Sequence, residues 1–188
     1  MIIVIGLGNP GNAHAAQRHN VGWMVLDGLV AQEGLQFTDK PIFHAQLAQF
    51  GQLTLIKPNT FMNRSGLAAK ALANQYDVPI VVVYDDIDIA LGTIKCSFGR
   101  GAGGHNGVQS VIDHLGTKDF LRIRIGVRPV HKELLPRIAP PDGFETFLLS
   151  NFAPFEIALR AAAIEKAIAI IESLPHKTKE EIMNLYNS

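Results

Sequence analysis

The sequence predicts an α/β fold, a single domain over residues 1–188 with a twisted mixed β-sheet surrounded by α-helices. Three observations lead there. Short apolar runs rich in β-branched residues, at 1–5 and 79–84, read as buried strands. Stretches with helical spacing, such as 20–32 and 156–174, alternate with them. A pair of apolar segments, 42–49 and 53–57, turned at Gly51, reads as a hairpin and brings antiparallel strands into the same sheet.

Taken in order, residues 1–5 form an apolar first strand that stops at Gly6. The 20–32 helix rests on Val21, Met24, Val25 and Leu29 and is stopped by Gly34. After the hairpin, 65–76 is an alanine-rich helix with Ser65 available near its start. Residues 79–84 are β-branched, continuous and too short for a helix. A further strand covers 93–98, and a helix covers 106–115 after a glycine-rich loop. In 121–127, Leu121, Ile123, Ile125 and Val127 share one face and Arg122 and Arg124 the other. Pro129, Pro136, Pro140 and Pro141 mark 129–143 as a loop. A long amphipathic helix at 156–174 and a short one at 179–186 complete the chain.

Composition narrows the class. A hydrophobic fraction of 47% supplies a core without metal or disulfides. The only cysteine, Cys96, has no partner within the chain, which fits a reducing compartment. The initial apolar run is too short for a signal peptide or a membrane span, so a soluble cytoplasmic protein is expected. Lys+Arg and Asp+Glu are both 17, so the chain is formally neutral. That argues against nonspecific coating of nucleic acid and leaves room for a local basic patch.

The residues that carry chemistry cluster at strand ends. His19 lies in Arg18-His19-Asn20-Val21-Gly22, just beyond the glycine loop Gly6-Leu7-Gly8-Asn9-Pro10-Gly11. An imidazole there is a candidate general base, or a cap for the helix that follows. Asp85 ends the strongest strand and is the candidate carboxylate to orient it; such a pair fixes the tautomer and stabilises the imidazolium. Asn9, Asn63 and Asn106 bring amides from separate loops, either as helix caps or as uncharged donors to a carbonyl or oxyanion. Residues 6–11 match a dinucleotide fingerprint literally, but no helix begins in the loop and no acidic residue ends a second strand. Asp85, Asp86 and Asp88 offer oxygen ligands to magnesium, yet Ile87 and Ile89 make this a strand-to-loop transition rather than a cage. No Gly-x-Ser-x-Gly occurs, so water is the expected nucleophile, with neither metal nor cofactor. Lys95, Arg100, Arg122, Arg124 and Arg128 follow the acidic cluster; Arg122 and Arg124 are placed to act together on a phosphate.

Together these blocks, with Lys57-Pro58-Asn59-Thr60-Phe61-Met62-Asn63-Arg64-Ser65-Gly66, Gly103-Gly104-His105-Asn106-Gly107 and Phe120-Leu121-Arg122-Ile123-Arg124-Ile125-Gly126, resemble the bacterial peptidyl-tRNA hydrolases. The resemblance runs through nearly the whole chain. It implies a monomeric, cytoplasmic α/β enzyme that hydrolyses, without metal, the ester joining a peptide to the terminal ribose of tRNA, and so recycles tRNA dropped from ribosomes. It implies His19 as the catalytic histidine and Asp85 as its carboxylate. Asn9 and Asn63 would position the water and the scissile group. Asn9, Met62, Asn63 and Asn106, with the adjacent His105, would line the cleft for peptide and acceptor end. Lys95 and Arg124 would hold the tRNA 5′-phosphate. The chain departs from the family at His14, usually tyrosine, and at Ser97, often a second lysine for which Arg100 compensates. No membrane and no obligate protein partner are implied. The prolines and Gly143 make 130–155 a candidate mobile lid. Rival readings are a nucleotide-binding protein built on 6–11, a catalytically silent RNA-binding module, and a metal-dependent phosphoesterase built on 85–88.

Overall fold

The computed structural model describes residues 1–129 and 143–187. Its strands are β1 (Ile2–Gly6), β2 (Thr38–Lys40), β3 (Ala45–Phe50), β4 (Leu53–Pro58), β5 (Ile80–Ala90), β6 (Ile94–Phe98) and β7 (Leu121–Arg128). They form one sheet in the order β2-β3-β4-β1-β5-β7-β6. The four central strands, β4, β1, β5 and β7, run parallel; β2, β3 and β6 are antiparallel to their neighbours. The helices are α1 (Val21–Gln32), α2 (Gly66–Gln75), α3 (Asn106–Leu115), α4 (Gly143–Leu148), α5 (Ile157–Ser173) and α6 (Lys179–Asn187).

Central parallel strands are apolar on both faces because both are covered. Val4, Val81, Val83 and Ile123 pack against Val25 and Leu29 of α1 and Ile168 and Ile171 of α5. Ile3, Ile5 and Val82 point the other way, toward Ala68 and Leu72 of α2 and Val108 and Val111 of α3. The outer edge of β6 is closed by a side chain. The Asn187 amide accepts from the Cys96 backbone N–H at 2.8 Å and donates to its carbonyl at 2.7 Å, as a neighbouring strand would. Burial pushes the Cys96 thiol up to about 12, which leaves it unreactive at neutral pH.

Several boundaries differ from the sequence expectation. The first strand of the hairpin begins at Ala45, because Pro41–Phe43 forms a 3-10 turn and His44 adopts a left-handed φ of 51°. The short β2 was too polar to stand out. Ser65 does not cap α2: its hydroxyl is buried without a partner, and the Gly66 N–H donates instead to Ser110 Oγ of α3 at 3.0 Å. The strand expected at 79–84 continues through the acidic cluster to Ala90. The prolines of the expected 129–143 loop lie mostly at 130–142, outside the described residues. The remainder of the candidate lid includes α4, which the sequence reading missed.

Candidate active site

The parallel strands end along one rim, and β1 lies where chain connections diverge: α1 follows it on one face and α2 follows β4 on the other. Such a crevice outside the carboxyl ends of strands is where α/β sheets build sites. Asn9 follows β1, Met62 and Asn63 follow β4, Asp85 lies in β5, and His105 and Asn106 open α3. His19 comes from the 3-10 turn Arg18–Asn20 that leads into α1. The loop 6–11 runs into the 3-10 turn Asn12–His14, so no helix meets a pyrophosphate there.

Gly22 explains how His19 reaches Asp85. A Cβ at Gly22 would lie 2.4 Å from the Val83 carbonyl oxygen and 2.7 Å from the Leu7 nitrogen. Only glycine lets the start of α1 rest on the ends of β1 and β5. The turn before it then sets the His19 ring over Asp85, two residues past Val83. His19 Nδ1 lies 2.8 Å from Asp85 Oδ1 although the residues are 66 positions apart.

A second histidine, His105, shares that oxygen. Its Nε2 is 3.0 Å from Asp85 Oδ1. Its Nδ1 accepts from the backbone N–H groups of Gly107 and Val108 and thereby caps α3. A nitrogen that accepts from two N–H groups carries no proton, so Nε2 carries it and donates to Asp85. By the same assignment His19 donates from Nδ1, which leaves its Nε2 as the unprotonated ring nitrogen. The two rings lie 4.9 Å apart between centroids.

Burial has the largest effect on His19 and favours its neutral form. The charge and hydrogen bond of Asp85, with a contribution from Glu145, prevail over it and raise the pKa above 6.5. For Asp85 burial is again the largest influence and favours the acid. The interactions with His105 and His19 outweigh it and hold the carboxyl well below the usual carboxylate range.

Asn9 is buried and fixed at three points. Its backbone N–H and carbonyl pair with the Asn20 side chain, both at 2.9 Å, and its Oδ1 accepts from the Met62 N–H at 2.8 Å. The Met62 contact fixes which end of the amide is the oxygen, so Nδ2 is the end that can donate to a ligand. Asn63 and Asn106 are exposed and neither caps a helix, since His105 performs that role for α3. Asn9, His19, Met62, Asn63, His105 and Asn106 all line one cavity of about 440 Å³, roofed by Phe144, Glu145, Leu148 and Leu149.

The basic residues divide. Arg124 donates from Nε to Asp86 Oδ2 at 2.8 Å, and Lys95 is its exposed cross-strand partner. Arg100 lines a second cavity of about 440 Å³ together with Ser97, Lys118, Arg122 and Arg124. The expectation that Arg122 pairs with Arg124 on a phosphate needs correction. Arg122 is buried and donates to the Gly101 and Arg100 carbonyls, so it holds the 99–104 loop. Lys118, which the sequence reading missed, lines that cavity as well.

Among the described residues, His19, Asp85 and His105 form the one group close enough to chelate a metal ion, with ligand atoms within 4.8 Å. Both imidazole N–H groups already point at Asp85, so a cation there must displace two protons. Asp86 and Asp88 are not in that group; Asp86 binds Arg124 and the Asp88 N–H.

A further feature had no signal in the local sequence because its halves are 138 residues apart. Arg18 forms a bidentate pair with Glu156, at 3.2 and 2.6 Å, and both residues are buried. Its guanidinium lies 4.3 Å from the Phe147 ring centroid and 4.8 Å from that of Phe152. The Arg18 N–H also donates to the Ser150 carbonyl. The turn that carries His19 is thus tied to the α4 roof.

The sequence model of the family described as peptidyl-tRNA hydrolase matches residues 3–188. A peptidyl-tRNA hydrolase of Thermodesulfovibrio yellowstonii is 38% identical over 194 residues, covering 100% of this chain and 99% of that protein. The one from Bacillus cereus is 36% identical, with 100% of both chains covered. The crystal structure of the Acinetobacter baumannii peptidyl-tRNA hydrolase superposes with a TM-score of 0.84 at 28% identity, covering 100% of this chain and 95% of that one.

Proposed function

Since the chain belongs to the peptidyl-tRNA hydrolase family, we propose that it cleaves the ester between peptide and tRNA with a water molecule activated by His19. One observation carries this reading: His19 meets Asp85 through Nδ1 at 2.8 Å, which leaves Nε2 as the base in a cavity lined by amides. Nε2 takes a proton from water as the oxygen attacks the ester carbonyl. The imidazolium that forms is stabilised by Asp85, which His105 holds in place from the other side. Asn9 and Asn63 position the water and the scissile group, with the Asn9 amide N–H turned to the oxyanion, and Asn106 lines the peptide cleft. Protonation of the ribose oxygen by the imidazolium then releases peptide and free tRNA.

On the same reading Lys95, Arg100 and Arg124 grip the tRNA 5′-phosphate, with Lys118 added to the set. The expected setting is the cytoplasm and the expected form a monomer; among the described residues no helix is long and apolar enough to cross a membrane. The test is hydrolysis of N-acetyl-aminoacyl-tRNA by wild type and His19→Ala. A positioned base contributes about 10²–10⁴-fold, so the variant should lose that much in kcat/KM while its unfolding midpoint stays close to wild type. Near-normal turnover removes His19 from the reaction. Loss of wild-type activity in EDTA, restored by a divalent cation, replaces the proposed mechanism with a metal-assisted one.

A further inference from the structure

The roof of the catalytic cavity has a chemistry that the hydrolytic step does not use. Phe61 and Phe144 are 59% and 58% exposed although both line the cavity. Leu148 and Leu149 continue this apolar rim. Within it stands Glu145, exposed, and the only carboxylate among the described lining residues; the other titratable groups among them are His14, His19 and His105. Phe144 and Leu148 also border the adjoining cavity, where the exposed Asp88 adds negative charge and Asp86 is paired with Arg124. Apolar walls accommodate the methylene stem of a long basic side chain, and exposed ring faces attract its cationic head. A carboxylate at the end of such a wall supplies the counter-charge.

We propose that the α4 wall is a subsite for a basic side chain of the peptide, with Glu145 as its specificity-determining residue. The proposal rests on the hydrolytic reading above and names a substrate class within it. Glu145 also acts on the charge state of His19, which places its field inside the cavity. An acidic peptide side chain meets like charge at the same position and is disfavoured.

The experiment uses one tRNA body acylated with N-acetyl-dipeptides. The residue joined to the ester, and then the residue before it, is set to Lys, Ala or Glu. The Ala-Ala substrate reads the hydrolytic activity itself; if it is not cleaved, the underlying reading fails. Given cleavage, wild type should prefer Lys over Glu by about fivefold in kcat/KM at one of the two positions, mainly through KM. Glu145→Gln should bring that ratio near one, and Glu145→Lys should invert it. In 1 M salt, where screening acts over ~3 Å, the wild-type ratio should shrink. Equal rates for Lys and Glu substrates at both positions, or the same preference in Glu145→Gln, overturn the proposal. Because each ratio is taken within one variant, a change in its overall activity cancels.

Discussion

Asp85 gives one oxygen to two histidines, and that asymmetry organises the site. His105 is locked by the α3 backbone, so it holds the carboxylate without competing as a base. His19 is held on one nitrogen only. Removing the charge at Asp85 has a calculable sign. With the carboxylate gone, burial is left to favour the neutral ring, so the acid limb of kcat/KM against pH should move down in Asp85→Asn. The maximal rate should fall about 10²-fold or more, because the amide no longer fixes the tautomer. An unchanged profile contradicts the pairing. The same groups set a stability window. Asp85, depressed when folded, stabilises above its unfolded pKa of about 3.9 and loses that contribution as pH falls toward its folded value. His19, raised when folded, stabilises fully below its unfolded value of about 6.5 and loses it as pH rises through the folded one. The Tm difference between wild type and Asp85→Asn should therefore be largest near pH 5 and smaller at pH 8. His19, Asp85 and Asn9 were legible as site candidates from residue type and position at strand ends. The bond from His105 to Asp85 was not, since nothing local to either residue reveals a partner 20 positions away.

At the scale of elements, the turn that carries His19 is braced from below by β1 and β5 and from the side by α4 and α5. The Arg18–Glu156 pair is the side brace. Both charges are out of water, and two aromatic rings enclose the guanidinium. Glu156 also accepts from the Ala153 N–H, so it fixes the entry to α5. Replacing it with glutamine leaves Arg18 as a buried unpaired cation. Glu156→Gln should then lose about 3–5 kcal/mol in urea unfolding, and KM should rise as the α4 roof loosens. A loss below 1 kcal/mol would mean that water reaches Arg18 and the brace is weak. The main strands and helices were readable because their periodicity is strong, and α3 matched the expected 106–115 at both ends. What escaped were elements specified by partners rather than pattern. β2 is three polar residues paired to β3, α4 is a short helix held against the turn that carries His19, and the α2 cap is a serine on another helix.

For the whole molecule, zero formal charge conceals a division. Apolar rings and Glu145 border the His19 cavity, while Arg100, Lys118, Arg122 and Arg124 outnumber Asp86 and Asp88 around the second one. If that basic cavity holds the 5′-phosphate, binding should depend on salt with the modest slope of a few contacts. Each neutralised phosphate contributes about −0.7 to −0.9 to the slope of log affinity against log salt, so two or three of them give about −1.4 to −2.7. A protein that relied on overall positive charge would show a steeper dependence and would bind other RNA equally well. The prediction separates these cases. Lys95→Gln should raise KM for N-acetyl-aminoacyl-tRNA and reduce the slope by about one, with little change in kcat at saturation. Arg124→Gln releases Asp86 as well, so its KM should rise further. Substrate stripped of its 5′-phosphate should bring wild type and Lys95→Gln to the same KM, because the contact that distinguishes them is gone. A difference that persists on the dephosphorylated substrate would move Lys95 to another part of the tRNA.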